Sequence, residues 1–476
     1  MARTALGIVS LARNGTDLAL AERLFENLRG RILDGLWRHG EKLPGTRLIA
    51  RDAGVSRWTA VVAVDMLIAE GLVEARKRSG TYVAWRGESR NHEQTANQAA
   101  APRPHVPFAM ASSALELFPM HVWRRLQGRR WRQMPAEALD DGDPEGWPAL
   151  RQAIAEYAAT IRGIQCTAEQ VIVVSSVEAG GRLVAKALCR PGNLAWVEDP
   201  ASPVTRAVVT SSNLEPIPVA LDREGLDVAD GCRLAPMASL AIVTPSVQFP
   251  TGIRMSDARR RRLVDWASSA DSWIFEIDHA SEFPFGLQHS QPMAAMPGVK
   301  RVVYFDTFSK LLFPSLRVAF LIVPREALPR IHETKHDFDR PPGVPNQIIL
   351  ADFLASGQFG KHLRRCREAY AERRETLLKA LRDECGELLS VDETQRGLHL
   401  CARLPRGTDD VLLSERLRET GVVAEPLSPF YGNPTDDRGL LLGYAAHRPD
   451  ALREGVKKLA ALLNASQAIR NRAAAG

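Results

Sequence analysis

The larger part of the chain repeats one pattern, in which a short apolar run of strand length is followed by a stretch with helical spacing. Six of these runs read QVIVVSS, NLAWVEDP, LAIVTPS, SWIFEIDH, VKRVVYFDTFS and LRVAFLIVP. Strands that alternate with helices favour a parallel or mixed sheet covered by helices on both faces. The last part of the chain begins as a helix and then contains GLHLCARL and GLLLGYAA. We therefore predict an α/β domain that ends in a small α+β lobe.

A polar stretch separates this α/β part from the residues before it. Residues 87–105, GESRNHEQTANQAAAPRPH, contain almost no large apolar side chains, which is typical of a linker. The chain has 476 residues, of which 45% are hydrophobic, so two or more folded domains are expected. We predict a first domain over residues 17–86 and a second over 106–463. Within the second, a large part spans about 140–340 and a small lobe about 358–463.

Composition argues against membrane, secreted and metal-dependent classes. No uninterrupted apolar run approaches the roughly 20 residues needed to cross a bilayer. The N-terminal sequence MARTALGIVSLARNG lacks the long apolar centre and the cleavage site of a signal peptide. The six cysteines are scattered, with no CxxC pair and no histidine at metal-ligand spacing. We expect a cytoplasmic protein with reduced thiols, no metal site and no membrane partner.

The first domain has the pattern of a winged helix-turn-helix. An amphipathic helix starts at Asp17, and after the break GEKLPG Thr46 can cap a short helix. Gly54 can make the turn, and Ser56 can cap the second helix of the motif. Two short strands, Leu72 to Ala75 and Thr81 to Trp85, then flank the basic sequence RKRSG. That hairpin tip is a predicted wing.

Charge and geometry together predict that this module binds double-stranded DNA. Met1 to Arg86 contain 14 Arg and Lys against 9 Asp and Glu. The second helix of such a motif enters the major groove, and residues at its start reach base edges. The predicted base contacts are Ser56, Arg57, Trp58 and Thr59, and the predicted phosphate and wing contacts are Arg47, Arg76, Lys77, Arg78, Ser79 and Gly80. The alternative is a protein-interaction module with solvated arginines. We also expect the arginine runs 259–262 and from Arg124 to be solvated helix faces; the alternative is contact with DNA wrapped along the body.

One lysine of the second domain lies among apolar and hydroxyl residues, in the sequence FDTFSKLLFPSLRVAF. Lys310 ends an apolar strand beside Thr307 and Ser309, and Arg317 follows. A desolvated amine loses its proton easily, as Schiff-base formation requires, and the hydroxyls and arginine can bind a phosphate. Ser175, Ser176 and Val177 join a strand to a helix, whose N-terminus offers a second half of the phosphate site. These residues predict pyridoxal phosphate bound at Lys310; the alternative is a structural lysine at a sheet edge.

Both parts of the chain resemble known families. The segment from LPGTRLIARDAGVSRW to RSGTYVA resembles the GntR-type winged helix-turn-helix, with Trp58 where that family tends to carry a small polar residue. Residues 106–463 resemble the fold type I pyridoxal-phosphate proteins in SALELFPMHVWRRL, GDPEGWPALRQAIAEY, VEDP, VTPSVQFPTGIRMS, ASEFPFG and TFSKLLFPSLRVAF. This order of parts is that of MocR-type regulators. The resemblance implies a fold type I domain, pyridoxal phosphate as a Schiff base to Lys310, a small-molecule effector and a homodimer.

The chain departs from the family at several positions around the implied cofactor. The stacking aromatic of EDPGY is replaced by Ser202, and the histidine of TPSHQ by Val247. The motif EDDYDSEF appears here as EIDHASEF. If SEF fixes the register, the residues at the acid and tyrosine positions are Ile277 and His279, and the tyrosine of GYGDP is replaced by Asp141. Asp278 is one residue off, and in a strand that normally points it to the other face; Asp278 and His279 are nevertheless candidate cofactor contacts.

Three functions follow as alternatives. The first is a DNA-binding regulator whose aminotransferase-like body senses a small molecule and has lost residues needed for efficient transamination. The second is an active aminotransferase with an accessory DNA-binding domain. The third is a scaffold that binds neither DNA nor ligand. Without an acid at the ring nitrogen the cofactor is a poor electron sink, so the departures favour the first over the second.

Overall fold

The computed structural model describes residues 17–76, 79–85, 106–110, 113–279, 281–284, 291–338, 341–391 and 397–475. The chain divides into two compact units, Met1–Pro102 and Arg103–Gly476. Among the helices in the described ranges, none has both the length and the apolar character needed to cross a membrane.

The first unit is a helical motif followed by a β-hairpin. Its elements are α1 (Asp17–Leu33), α2 (Thr46–Ala53), α3 (Arg57–Ala69), β1 (Val73–Arg76) and β2 (Gly80–Val83). The two strands pair antiparallel, with Val73 opposite Val83. Leu24 and Leu28 of α1 are fully buried against Leu67 of α3 in one apolar core. The predicted winged helix-turn-helix is confirmed.

The turn between the two helices shows how local chemistry fixes the motif. Gly54 ends α2 in the left-handed conformation, with φ of 71°. Ser56 caps α3, since its Oγ accepts a hydrogen bond from the Thr59 N–H at 3.1 Å. The prediction that Thr46 caps α2 is wrong. Gly45 holds the capping position, and Thr46 is the first helical residue.

A mixed eight-stranded sheet forms the centre of the second unit. Its strands are β3 (Val171–Val174), β4 (Leu194–Asp199), β5 (Glu215–Asp222), β6 (Gly225–Leu226), β7 (Leu240–Val243), β8 (Trp273–Ile277), β9 (Val302–Thr307) and β10 (Ala319–Ile322). The spatial order is β3-β10-β9-β8-β7-β4-β5-β6. Strands β9, β8, β7, β4 and β5 run parallel, while β10 is antiparallel to both of its neighbours. The carboxyl ends of the parallel strands therefore meet at one edge.

Helices cover both faces of this sheet, as the alternating pattern predicted. They are α4 (Met120–Trp131), α5 (Pro148–Tyr157), α6 (Val177–Leu188), α7 (Pro203–Ser211), α8 (Val228–Leu234), α9 (Asp257–Ser269), α10 (Phe308–Leu311), α11 (Leu328–Phe338) and α12 (Val344–Ala355). Along β3, Ile172 packs in one buried cluster with α6, while Val171 and Val173 pack in another with α5. Successive strand residues thus serve opposite layers.

The predicted small α+β lobe is confirmed at the end of the chain. It contains α13 (Gln358–Cys385), α14 (Asp410–Glu419), α15 (Pro449–Ala475), β11 (Ser390–Val391), β12 (His399–Arg403), β13 (Glu425–Pro426) and β14 (Gly439–Gly443). The strands pair antiparallel in the order β11-β12-β14-β13. Strands β12 and β14 are the predicted runs GLHLCARL and GLLLGYAA, and both are almost wholly buried.

The arginine run on α9 corrects one expectation. Arg261 and Arg262 are exposed, but Arg259 and Arg260 are buried. A buried guanidinium needs partners. Arg259 pairs with Asp222 at 2.6 Å, and Arg260 donates to main-chain oxygens of three residues, Pro245, Met255 and Gln291. Only half of the run is a solvated face.

Candidate functional site

A cleft of about 430 Å³ lies at the carboxyl ends of the central strands of the second unit. Its size falls within the range of small-molecule sites, roughly 300–1,000 Å³. The predicted cofactor contacts that line it are Ser176, Val177, His279, Thr307, Ser309, Lys310 and Arg317, and Ser175, Ser202 and Ile277 also line it. Residues from five separate segments therefore meet in one cleft.

The polar part of this cleft has the chemistry of a phosphate site. Ser176 caps α6, and the first N–H groups of a helix are available to an anion. The Thr307 Oγ accepts a hydrogen bond from the Ser309 N–H at 3.2 Å. Within the described residues, the Ser309 hydroxyl is buried and has no hydrogen-bond partner. Arg317, which has a left-handed backbone with φ of 53°, adds a guanidinium.

Lys310 provides the amine of the cleft. It lies in α10, directly after β9, and its side chain is half-buried. Burial lowers the pKa of the Lys310 amine, and the negative charges of Glu178 and Asp306 offset part of that effect. A lysine with a lowered pKa presents its unprotonated, nucleophilic form more readily at neutral pH.

Ile277 and Asp278 point to opposite sides of the end of β8. Ile277 lines the cleft. Asp278 instead accepts hydrogen bonds from the Tyr304 hydroxyl and the Ser281 hydroxyl, each at 2.9 Å, and lies 3.6 Å from Arg162. The expectation that Asp278 contacts the cofactor is corrected accordingly, because strand alternation turns its carboxylate to the other face.

A buried ionic cluster, which sequence reasoning missed, lies on that other face. Arg162 contacts three acids, Asp278, Glu282 and Asp306, and all of these side chains are buried. Burial and the neighbouring Glu282 raise the pKa of Asp306 well above its usual range. Asp306 also accepts a hydrogen bond from the Thr307 N–H at 2.6 Å. The cluster thus fixes the end of β9, from which Thr307 and Lys310 reach the cleft.

A smaller inner cavity of about 160 Å³ adjoins the cleft and shares Phe249, His279 and Lys310 with it. Burial and the nearby Lys310 lower the pKa of His279 well below its usual range. Burial lowers the pKa of His399, which also lines this cavity, to about 4. Both imidazoles are therefore neutral at pH 7. Within the described residues, the buried Nδ1 atom of His279 has no hydrogen-bond partner.

The VEDP motif joins the sheet to the loops around the site. Glu198 accepts hydrogen bonds from the Thr244 N–H and hydroxyl, and burial raises the pKa of Glu198 to about 7. Asp199 accepts hydrogen bonds from the Gly432 N–H at 2.7 Å and from the main chain and side chain of Asn433. Ser202 caps α7. At the position of the stacking aromatic, the chain carries a helix cap.

In the first unit, the predicted base-reading surface is exposed at the start of α3. Arg57 and Trp58 are exposed, as is Arg47 in the first turn of α2. Ser56 is exposed, but its Oγ is engaged with the main chain and side chain of Thr59. Thr59 is fully buried, which corrects the expectation that it contacts bases.

The wing carries both expected and unexpected contacts. Ser79 and Gly80 are exposed, and the Ser79 hydroxyl bonds to that of Tyr82 at 2.7 Å. Arg76 pairs with Glu74 and lies 4.5 Å from the centre of the Tyr82 ring. Lys42, missed by sequence reasoning, pairs through its main chain with Tyr82 and adds an exposed amine beside the wing. The other two predicted contacts, Lys77 and Arg78, lie outside the described residues.

Each of the two units matches a known protein family. Residues 20–83 match the family described as bacterial regulatory proteins, gntR family, and residues 116–459 match aminotransferase class I and II. The fold and site thus define a helix-turn-helix protein with an aminotransferase-like body. The regulatory protein MocR of Rhizobium meliloti, named as a probable regulator of rhizopine catabolism, is 34% identical, with 93% of each chain covered. The pyridoxine biosynthesis regulator PdxR of Corynebacterium glutamicum is 28% identical, with 91% of this chain and 94% of the relative covered.

This chain belongs to the MocR family of GntR-type helix-turn-helix transcriptional regulators. Among solved structures, the α-aminoadipate aminotransferase LysN of Thermus thermophilus aligns with a TM-score of 0.70 at 26% identity. That alignment covers 76% of this chain and 93% of LysN.

Proposed function

We propose that this regulator binds an operator in double-stranded DNA through its first unit and senses a small molecule in the cleft of its second unit. The cleft holds pyridoxal phosphate through Lys310 but does not support efficient transamination. One observation carries the proposal: the cleft retains an amine, hydroxyls and an arginine, and presents Ile277 where an acid would be needed. We further propose that the protein works as a cytoplasmic homodimer.

The residues of the cleft fit the cofactor at its phosphate and at its aldehyde. Ser309 has a buried hydroxyl in need of a partner, and the start of α6 and Arg317 supply N–H donors to the same cleft. The Lys310 amine has a lowered pKa, which favours covalent attachment. When bound, pyridoxal phosphate supplies an electron-accepting ring for chemistry at amino groups.

The residues do not fit the demands of transamination equally well. Ile277 cannot hold a proton at the ring nitrogen, and Asp278 is bonded to Tyr304 and Ser281 on the far side of the strand. The pKa of His279 is lowered well below its usual range, so this side chain adds no positive charge at pH 7. The second candidate, an active aminotransferase, is favoured only by the retained amine and phosphate contacts.

The spectrum of the purified full-length protein tests the cofactor proposal. With added pyridoxal phosphate we expect a visible absorption band, which borohydride converts into a stable adduct located on Lys310 by peptide mass mapping. Lys310→Ala abolishes the band and the adduct. Lys361→Ala, which removes an exposed amine on α13, leaves both unchanged. Labelling that persists in Lys310→Ala contradicts the assignment.

Single-turnover reactions with amino donors distinguish the two candidates. We expect conversion of the bound cofactor to its amine form to be slow or absent across a panel of amino acids. Rapid conversion with catalytic turnover would instead identify an active aminotransferase that carries a DNA-binding domain.

Binding to duplexes selected from a randomised pool tests the regulator proposal. Arg57→Ala should reduce the preference for selected over random duplexes, because an arginine at the start of such a helix can contact base edges. Arg47→Ala should weaken all duplexes equally and reduce the slope of log affinity against log salt by about 0.9, the value for one phosphate contact. If both variants behave like the parent protein, the assignment of α3 to the groove is wrong.

A further inference from the structure

The exposed face of α3 is apolar along most of its length. Trp58 is 56% exposed at the start of the helix. Val61 and Val62 follow at spacings of three and four residues, and both are half-buried. Asp65 completes the same face one turn further on. Apart from Arg57 and Asp65, α3 contains no charged residue.

This face of α3 is not the one that packs on the core of the first unit. The buried side of α3 is formed by Thr59, Ala60, Ala63, Val64 and Leu67, which are the residues that pack on the core. Among the described residues, the Trp58 ring makes no stacking or cation contact and Arg57 makes no ion pair. The exposed indole and the half-buried valines behind it form an apolar surface that an external partner could cover.

The charged groups beside the face favour DNA as that partner. Arg57 stands at the start of α3 and Arg47 is exposed on α2, so guanidinium groups flank the apolar residues. The major groove presents one strong apolar feature, the C5-methyl group of thymine, which apolar side chains contact. Asn and Gln, which read adenine edges, do not occur in α3, and the charged hydrogen-bonding residues exposed on the helix are Arg57 and Asp65.

We infer that Trp58, with Val61 behind it, reads thymine methyl groups in the operator. The inference rests on the proposed DNA-binding function and gives the chemical class of base that the helix selects. Arg57 then adds a hydrogen bond to a base beside the thymines that Trp58 contacts.

Replacement of thymine by uracil isolates the methyl group, because uracil keeps every hydrogen-bonding group of thymine. Thymines in a selected duplex are replaced one at a time, and binding of the full chain is measured by fluorescence anisotropy at fixed salt. At one or more positions we expect affinity to fall about fourfold, the factor given by one buried methyl-sized group. Trp58→Ser should bind the thymine and uracil duplexes equally at those positions.

Two further variants control for surface chemistry. Trp85→Ser makes the same change at a tryptophan that is 42% exposed and whose main-chain N–H donates to the Leu72 carbonyl, beyond the other end of α3. It should keep the full thymine preference. Trp58→Leu retains an apolar side chain and should keep part of it, even if Trp58→Ser binds too weakly to measure.

Equal binding of thymine and uracil duplexes at every position overturns the inference, as does a Trp58→Ser protein with an undiminished thymine preference. In that case a protein surface is the partner of the apolar face. A chain that prefers no duplex at all overturns the proposed DNA-binding function as well, so the two failures are distinguishable.

Discussion

At the scale of single residues, the chemistry of the cleft depends on which of two neighbours faces it. Ile277 and Asp278 are adjacent in the chain, yet Ile277 lines the cleft and Asp278 belongs to the Arg162 cluster. The pleat of a strand sends neighbouring side chains to opposite faces. A carboxylate close in sequence is therefore no substitute for one at position 277.

Ile277→Asp tests this conclusion directly. With pyridoxal phosphate bound, a carboxylate at this position can accept a charge-assisted hydrogen bond from a protonated ring nitrogen, worth about 1.5–3 kcal/mol. We expect the cofactor to convert to its amine form roughly ten to a hundred times faster with an amino donor, measured by absorbance in single turnovers. Ile277→Asn, similar in size to Asp but uncharged, should show no comparable gain. Equal rates in the two variants would mean that another missing group limits the reaction.

Much of this site was predictable because its residues are tied to local motifs. Ser309 and Lys310 could be placed from the apolar run beside them, and Ile277 from the resemblance of EIDHASEF to the family motif. Arg162 could not, because it lies over a hundred residues before its acidic partners and no motif connects them. Thr59 was misjudged because helix periodicity alone did not show its hydroxyl turned inward to Ser56.

At the scale of elements, the start of α3 depends on one serine. The Ser56 Oγ bonds to both the N–H and the buried hydroxyl of Thr59. We expect Ser56→Ala to destabilise the first unit by about 1–2 kcal/mol, the usual cost of a lost cap, measured by chemical denaturation. Thr46→Ala should cost much less, since Thr46 makes no capping bond at α2. Equal losses would show that the Ser56 cap is not what stabilises the motif.

A second element depends on a buried acid. Glu276 in β8 accepts hydrogen bonds from the N–H groups of Met293 and Ala294, and burial raises the pKa of Glu276 from its ordinary 4.5 to about 7. Between these pH values the folded chain holds a proton that the unfolded chain has lost. The free energy of unfolding therefore falls as pH rises, by up to about 3 kcal/mol from this group.

Glu276→Gln should remove this contribution to the pH dependence of the free energy of unfolding. The substitution also removes one of the two accepting oxygens, so the variant is less stable at low pH. The informative measurement is therefore the change in the free energy of unfolding with pH, obtained by chemical denaturation at several pH values. Glu375→Gln, a change at a side chain that is 67% exposed on α13, should leave the slope unchanged. A slope that survives in Glu276→Gln would contradict the assignment.

Element types followed from the sequence more reliably than element ends. Short apolar runs rich in β-branched residues favour buried strands, so β3, β7 and β10 could be predicted from the sequence. The first wing strand begins at Val73 rather than Leu72, because the Leu72 N–H bonds to the Leu67 carbonyl at the end of α3. Such end effects depend on tertiary hydrogen bonds that a local pattern does not contain.

At the scale of the whole molecule, exposed apolar residues bear on assembly. Of the large hydrophobic side chains exposed on the second unit, those between residues 115 and 161 are Leu115, Met120, Trp131, Leu139 and Ile161. Large exposed apolar side chains are more frequent where proteins associate. Each of these residues is a candidate contact between two copies of the chain.

Light scattering tests the homodimer. We expect a mass of twice 52.4 kDa for the parent chain. Leu139→Arg places a charge where the side chain is now 63% exposed and should shift the mass toward that of a monomer. Met237→Arg, at a side chain that is 73% exposed outside this segment, should not. A monomeric parent protein would contradict the prediction.

The hydrogen bonds that Asp199 accepts from Gly432 and Asn433 connect the large part of the second unit to its small lobe. Any motion that carries this loop away from the end of β4 must release three hydrogen bonds to a single carboxylate together. Bonds to a charged group are worth about 1.5–3 kcal/mol each, so this one carboxylate opposes such a motion. A ligand that shifts the small lobe would have to offset the loss of all three hydrogen bonds.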